Sequence, residues 1–106
     1  MIDQQTIDQA AQRLLNAAPP GSGVILFGSY ARGTVGPSSD LDFLVIEPQV
    51  TNRHEEMVRL RDVLHDLPAS VDVLVTSRNA FEEWRETPNN VLYEAWKEGR
   101  RFGEVG

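Results

Sequence analysis

Three carboxylates stand where apolar side chains are expected. Asp40 and Asp42 flank Leu41 at the head of the run Leu41-Asp42-Phe43-Leu44-Val45-Ile46, and Asp72 interrupts Val71-Asp72-Val73-Leu74-Val75. Aspartate is depleted in strands because its side chain competes with the backbone for hydrogen bonds and its charge resists burial. The two-residue period of a strand puts Asp40 and Asp42 on one face, with Leu41 and Phe43 on the other. If the strand that bears Asp72 lies alongside, three negative charges converge. Two like charges ~5 Å apart repel by roughly 3 kcal/mol at an effective dielectric near 20, and three charges make three such pairs. A cation is required, and no Lys or Arg interrupts either segment. An all-oxygen ligand set suits Mg²⁺ or Mn²⁺, which keep open positions for water and substrate phosphate. Taken singly, Asp40 reads equally well as a loop residue or cap after Ser38-Ser39, and Asp72 as a neutralised or paired acid. Their convergence carries the metal reading.

Gly28-Ser29 supplies what such a metal would be used with. A glycine at a strand end lets a phosphate approach the backbone closely, and a serine opening a helical turn offers a hydroxyl and exposed N–H groups to an anion. Such pairs occur in many ordinary turns. Position gives this one its weight: a strand delivers it, ten residues follow, and the chain returns with Asp40 and Asp42.

These groups must be held by elements that the patterning predicts. Residues 3–18 carry a helical stripe of Ile7, Ala10, Ala11, Leu14, Leu15 and Ala18, with Thr6 and Gln9 as a capping box, stopped by Pro19, Pro20 and Gly21. Val24–Phe27 reads as a strand buried on both faces. Tyr30-Ala31-Arg32 fits one helical turn before a loop set by Gly33, Gly36 and Pro37. Leu41–Ile46 is the second strand, ended by Pro48. Asn52 and Glu55 form a capping box for a helix from Arg53 to Leu67, with Met57, Leu60, Leu64 and Leu67 inward. Val71–Val75 is the third strand. A short helix with Phe81 and Trp84 inward follows, then a last helix with Thr87-Pro88 as N-cap and first residue, ending before Gly99. One unit spanning residues 1–106 is expected, of α+β class, with about three core strands in a small mixed sheet flanked by helices.

Composition excludes several function classes. The chain has 106 residues, 41% of them apolar, 25% charged and none of them cysteine. Disulfide frameworks and thiolate metal sites are excluded, and no apolar run reaches the ~20 residues of a membrane span. The N-terminal segment lacks the basic and apolar regions of a secretory signal, so a cytoplasmic location and no membrane partner are expected. Sixteen acidic against ten basic side chains give a net charge of -6, which disfavours polynucleotide binding. His54 and His65 lie ~16 Å apart along a helix, cannot share an ion, and read as surface residues. Phe81, Trp84, Tyr93 and Trp96 read mainly as core, with a partner-docking patch as the alternative. Arg100 and Arg101 read as cations placed past a helix C-terminus, and the Arg-Glu mixture over 53–62 as a solvated helix face.

Gly28-Ser29, ten intervening residues, Asp40-Leu41-Asp42 and the later strand residue Asp72 resemble the signature of the DNA polymerase β-type nucleotidyltransferase superfamily. The fuller string Gly28-Ser29-Tyr30-Ala31-Arg32-Gly33, the small size and the closing Glu98-Gly99-Arg100 resemble its minimal nucleotidyltransferase (MNT) branch. The resemblance implies metal-dependent transfer of AMP from ATP to a hydroxyl, with pyrophosphate leaving and typically two Mg²⁺ or Mn²⁺ ions. By that likeness Asp40, Asp42 and Asp72 are catalytic and hold the metals, Asp72 lies near the attacking hydroxyl, and Gly28 and Ser29 bind the nucleotide phosphates. Arg32 is placed either on phosphate or in a structural salt bridge. Solitary members of the branch accompany a HEPN-domain protein, so the implied partner is a HEPN ribonuclease toxin whose tyrosine is adenylylated by an antitoxin. Two rival readings stand beside this one: transfer to a small-molecule acceptor or nucleic-acid end, and a non-catalytic antitoxin that acts by docking.

Overall fold

The computed structural model describes residues 2–36 and 39–105. The expectations for Pro37 and Ser38 lie outside the described residues. The chain begins with α1, Gln4–Ala17, whose cap is Asp3 and not the expected Thr6: the Asp3 carboxylate accepts from the Thr6 N–H at 2.8 Å. Either side chain can satisfy a free N–H of the first turn, and the acid does so three residues earlier. Ile7, Ala10, Ala11 and Leu14 then fall on one buried face. Next come β1, Gly23–Phe27, and the single-turn α2, Ser29–Arg32, which Gly33 terminates in a left-handed conformation. The second strand, β2, is Leu41–Glu47.

Helix α3, Arg53–Val63, opens as expected, with Asn52 accepting from the Glu55 N–H at 3.1 Å. It ends four residues before the predicted Leu67. Tighter i to i+3 bonds from Leu64, His65 and Leu67 replace the helical ladder there, and they still bury Leu64. Strand β3 is Val71–Ser77, and α4, Arg78–Trp84, follows without a loop because Ser77 caps it. The last helix, α5, is Val91–Glu98 and is capped by Asn90, which accepts from the Tyr93 N–H at 3.0 Å. It does not start at Thr87-Pro88, because Asn89 sits at φ 70, a conformation no helix can contain.

A fourth strand, β4, Arg100–Gly103, adds to the three expected. Gly99 makes it possible: a side chain there would strike the Ile25 side chain and the Leu26 and Ala95 carbonyls, so only glycine lets α5 turn this tightly onto β1. The sheet order is β3-β2-β1-β4, with β1 antiparallel to β2 and β4, and β2 parallel to β3 through the α3 crossover. Alternate strand residues feed two cores. Val24, Leu26, Phe43, Val45 and Val73 pack under α1 and α3, while Ile25, Leu44, Ile46 and Leu74 pack with Phe81 and Ala95 of α4 and α5. Both faces are covered, which explains the unbroken apolar runs. Of the aromatics expected inward, Phe81 is buried with Trp96 edge-on to it at 5.8 Å, but Trp84 is 48% exposed. It is the last residue of α4 and lies at the rim of a hollow shared with Leu74, Val75 and Val91, where it is only partly covered.

Candidate active site

The site assembles where three strand ends meet. β1 runs out at Phe27, which pairs with Asp42 on β2, and Asp42 pairs in turn with Asp72 on β3. Asp42 and Asp72 are therefore direct neighbours across a parallel ladder, with side chains on the same face. Asp40 precedes β2 by one residue and is exposed. It lies close enough for its charge to bear on Asp42. The Asp42 carboxyl is pushed above its ordinary range, first by partial burial, then by the charges of Asp72 and Asp40, while Arg32 opposes the shift.

Gly28 sits against that pair. Its φ of 75° is left-handed, and a side chain at this position would run into the Asp42 carboxylate. Glycine is needed on both counts. Ser29 opens α2, where the Ala31 and Arg32 N–H groups both reach the Gly28 carbonyl at 3.1 Å, leaving those of Ser29 and Tyr30 without an acceptor inside the turn. Arg32, at the other end of that turn, pairs with Glu98 at 3.3 Å across an exposed surface. It thus forms the structural salt bridge and still faces the Asp42 carboxyl.

A divalent ion fits this donor set. The oxygens of Asp42 and Asp72 are hard ligands held side by side, and the mutual repulsion that raises the Asp42 carboxyl is what a cation would relieve. Among the described residues no group of three or more His, Cys, Asp or Glu stands at ligand spacing. The preassembled unit is thus the Asp42–Asp72 pair, with Asp40 beside it.

One wall of the site carries no signature in the sequence. A hollow of ≈380 Å³ opens beside Asp42 and Asp72, and α3 lines it with His54, Met57, Val58 and Arg61. Val91, at the start of α5, and Phe27 close it. His54 and His65 are both exposed, as expected, and only His54 faces the acidic pair. Spacing offered one clue, since positions 54, 57, 58 and 61 share a helical face. Nothing in the spacing tells a groove-facing side from a solvent-facing one.

Comparison with known proteins bears on the family and the fold. Residues 7–102 match the family model described as "Nucleotidyltransferase domain". Over 70 residues, 60% of this chain, the sequence is 36% identical to Poly(A) polymerase pla1 of Schizosaccharomyces pombe (strain 972 / ATCC 24843), of which the chain spans 12% of the length. A solved toxin-antitoxin with AMP-PNP superposes with a TM-score of 0.59 at 24% identity, covering 91% of this chain and 73% of that one. Two mutants of the toxin-antitoxin MntA-HpeT give TM-scores of 0.56. One is 21% identical and covers 96% of this chain and 74% of its own; the other is 22% identical and covers 99% and 75%. At these identities the structural likeness is one of fold.

Proposed function

We propose that this chain, which belongs to the nucleotidyltransferase domain family, transfers AMP from ATP to a hydroxyl on a partner protein, as the antitoxin of a toxin-antitoxin pair of the minimal nucleotidyltransferase kind. The observation that carries the reading is the Asp42–Asp72 pair against Gly28 at a common strand end. The fold shared with toxin-antitoxin structures supports the biological setting, and the one solved with AMP-PNP supports an adenine nucleotide. A HEPN-domain toxin, modified on tyrosine, is the partner this reading favours.

In the proposed reaction the acceptor oxygen attacks the α-phosphorus, the bond from that phosphorus to the oxygen bridging to the β-phosphate breaks, and pyrophosphate leaves. Gly28 lets the phosphates approach the backbone, while the Ser29 hydroxyl and the free N–H groups of Ser29 and Tyr30 hold their oxygens. Asp72 is exposed beside the hollow and receives the proton of the attacking hydroxyl. Asp40, Asp42 and Asp72 would hold Mg²⁺ or Mn²⁺; bound there, the metal neutralises triphosphate charge and stabilises the entering and leaving oxygens. Most of the acceleration then comes from positioning and electrostatics.

The test uses ATP labelled in the α- or γ-phosphate, Mg²⁺ and extract from the source cell. Label that stays on a denatured protein from α-labelled ATP alone, and vanishes in Asp42→Asn, is the expected result. Equal labelling from γ-labelled ATP means phosphorylation and overturns the reading. Suppression of a toxin by a chain that never labels anything establishes the docking alternative.

A further inference from the structure

The sheet ends on β3, which has a strand on one side only. The bond from the Leu41 N–H to the Ser70 carbonyl shows which of its groups point outward. With Leu41 opposite Val71 in a parallel ladder, the even-numbered residues of β3 turn their N–H and C=O toward β2, and Val71, Val73 and Val75 turn theirs to the open side. Arg61 Nε donates to the Val71 carbonyl at 3.0 Å. Among the described residues nothing bonds the outward groups of Val73 and Val75. Edge strands are usually protected by being short, by Lys or Pro, or by a bulge. β3 has seven residues and neither Lys nor Pro.

The space along this edge is shaped. The hollow beside Asp42 and Asp72 shares Leu74 and Val91 with a second one of ≈240 Å³ that reaches Val75 and Trp84, so the two form one groove. Val58, Trp84 and Val91 are 56%, 48% and 38% exposed, the large apolar side chains left uncovered among the described residues, and all three border this groove. Its charge departs from that of the chain as a whole. In a protein of net charge -6, the groove carries Arg53, His54 and Arg61, and its carboxylates are Asp42 and Asp72, at the site end.

We propose that the open edge of β3 is a docking groove for an extended segment of the acceptor protein. The segment adds as a fifth strand on the Val73 and Val75 backbone, sets apolar side chains against Val58, Val91 and Trp84, and turns a carboxylate toward Arg53, His54 and Arg61. Main-chain bonds supply affinity in this mode of binding, and alternate side chains supply selectivity. Asp72 lies on the same strand, so a hydroxyl carried by that segment arrives beside it. The word acceptor rests on the nucleotidyl-transfer reading; the docking itself does not.

The probe is a synthetic peptide of alternating valine and glutamate around one tyrosine, added to the full chain. Amide exchange at Val73 and Val75 is expected to slow at least about tenfold at saturation, and Trp84 emission to shift to the blue. Val73→Pro, which removes an outward N–H at an edge where proline is tolerated, is expected to weaken binding about tenfold. N-methylation of alternate peptide amides is expected to do the same without touching the protein, which keeps the test decisive if the proline variant fails to fold. Equal binding of the methylated peptide, or no protection at millimolar peptide, overturns the proposal. Protection that appears in the chain alone at rising concentration assigns the edge to a second copy, and protection by oligoadenylate but not by peptide assigns it to nucleic acid; either result also overturns it. Ser29→Ala, at a residue that does not line the groove, keeps peptide binding while weakening label transfer, so failure of the docking and failure of the reaction are read separately.

Discussion

Burial and two carboxylate neighbours raise the Asp42 carboxyl, so the folded chain binds a proton there more tightly than the unfolded chain does. Stability from this group is present at low pH and is lost as pH rises from its ordinary value toward the raised one. The ionised form of Asp42 is thus the one the fold holds less well. Asp42→Asn should therefore raise the thermal midpoint at pH 7 by a few degrees and leave it unchanged near pH 3, while abolishing transfer of label from ATP. Mg²⁺ should raise the midpoint of the wild type more than that of the variant, because it relieves a repulsion the variant lacks. Gly28→Ala acts on the same Asp42 carboxylate in the opposite direction. Its methyl meets the Asp42 carboxylate and its backbone must stay left-handed, so a loss of about 1–3 kcal/mol in urea unfolding is expected, together with loss of the midpoint shift by ATP and Mg²⁺.

The far end of β2 carries a second carboxyl conflict, between strand and helix. Glu47 is 2% exposed, one of its oxygens has no partner, and burial together with Glu56 pushes its carboxyl up to about 8. Glu56 is held down to about 2, chiefly by Arg59, which bonds it at 2.7 Å and also donates to the Ala17 carbonyl at 2.9 Å. The signs differ. Stability from Glu47 is lost as pH climbs from 4.5 toward about 8, and stability from Glu56 is lost as pH falls from 4.5 toward about 2. Glu47→Gln should leave melting at pH 5 unchanged and raise it at pH 9, since glutamine keeps the neutral hydrogen-bonding form. Element boundaries show why legibility stops where it does. The three core strands, α1 and α3 were legible from their apolar period, and the start of α3 from its Asn52 cap, while the cap of α1 and the end of α3 fell elsewhere because several side chains or tighter turns can satisfy the same terminal groups. Strand β4 was not, because Arg100-Arg101-Phe102-Gly103 has no alternation of its own and is a strand only through pairing with β1. The acidic pair was legible because a charge in an apolar strand is costly wherever the strand lies. The α3 wall was not, since His54 and Arg61 become site residues only through what stands opposite them.

Two cores on opposite faces of one thin sheet make the whole molecule sensitive to its central residues. Phe43 and Phe81 are fully buried in different cores. Truncating either to alanine should cost about 3–5 kcal/mol in urea unfolding, a large share of the ~5–15 kcal/mol typical of a domain. Phe43→Ala should also weaken ATP-dependent stabilisation more than Phe81→Ala does, because Phe43 is the residue next to Asp42 on β2. The parallel union of β2 and β3 has a further consequence, in time. Asp42 and Asp72 become neighbours only after α3 has formed and carried the chain across to lay β3 beside β2. Parallel pairings of this kind close large loops and form slowly. A nascent chain that has emerged only as far as β2 thus carries Gly28, Ser29 and Asp42 without Asp72, and its acidic pair is complete only once β3 has joined the sheet.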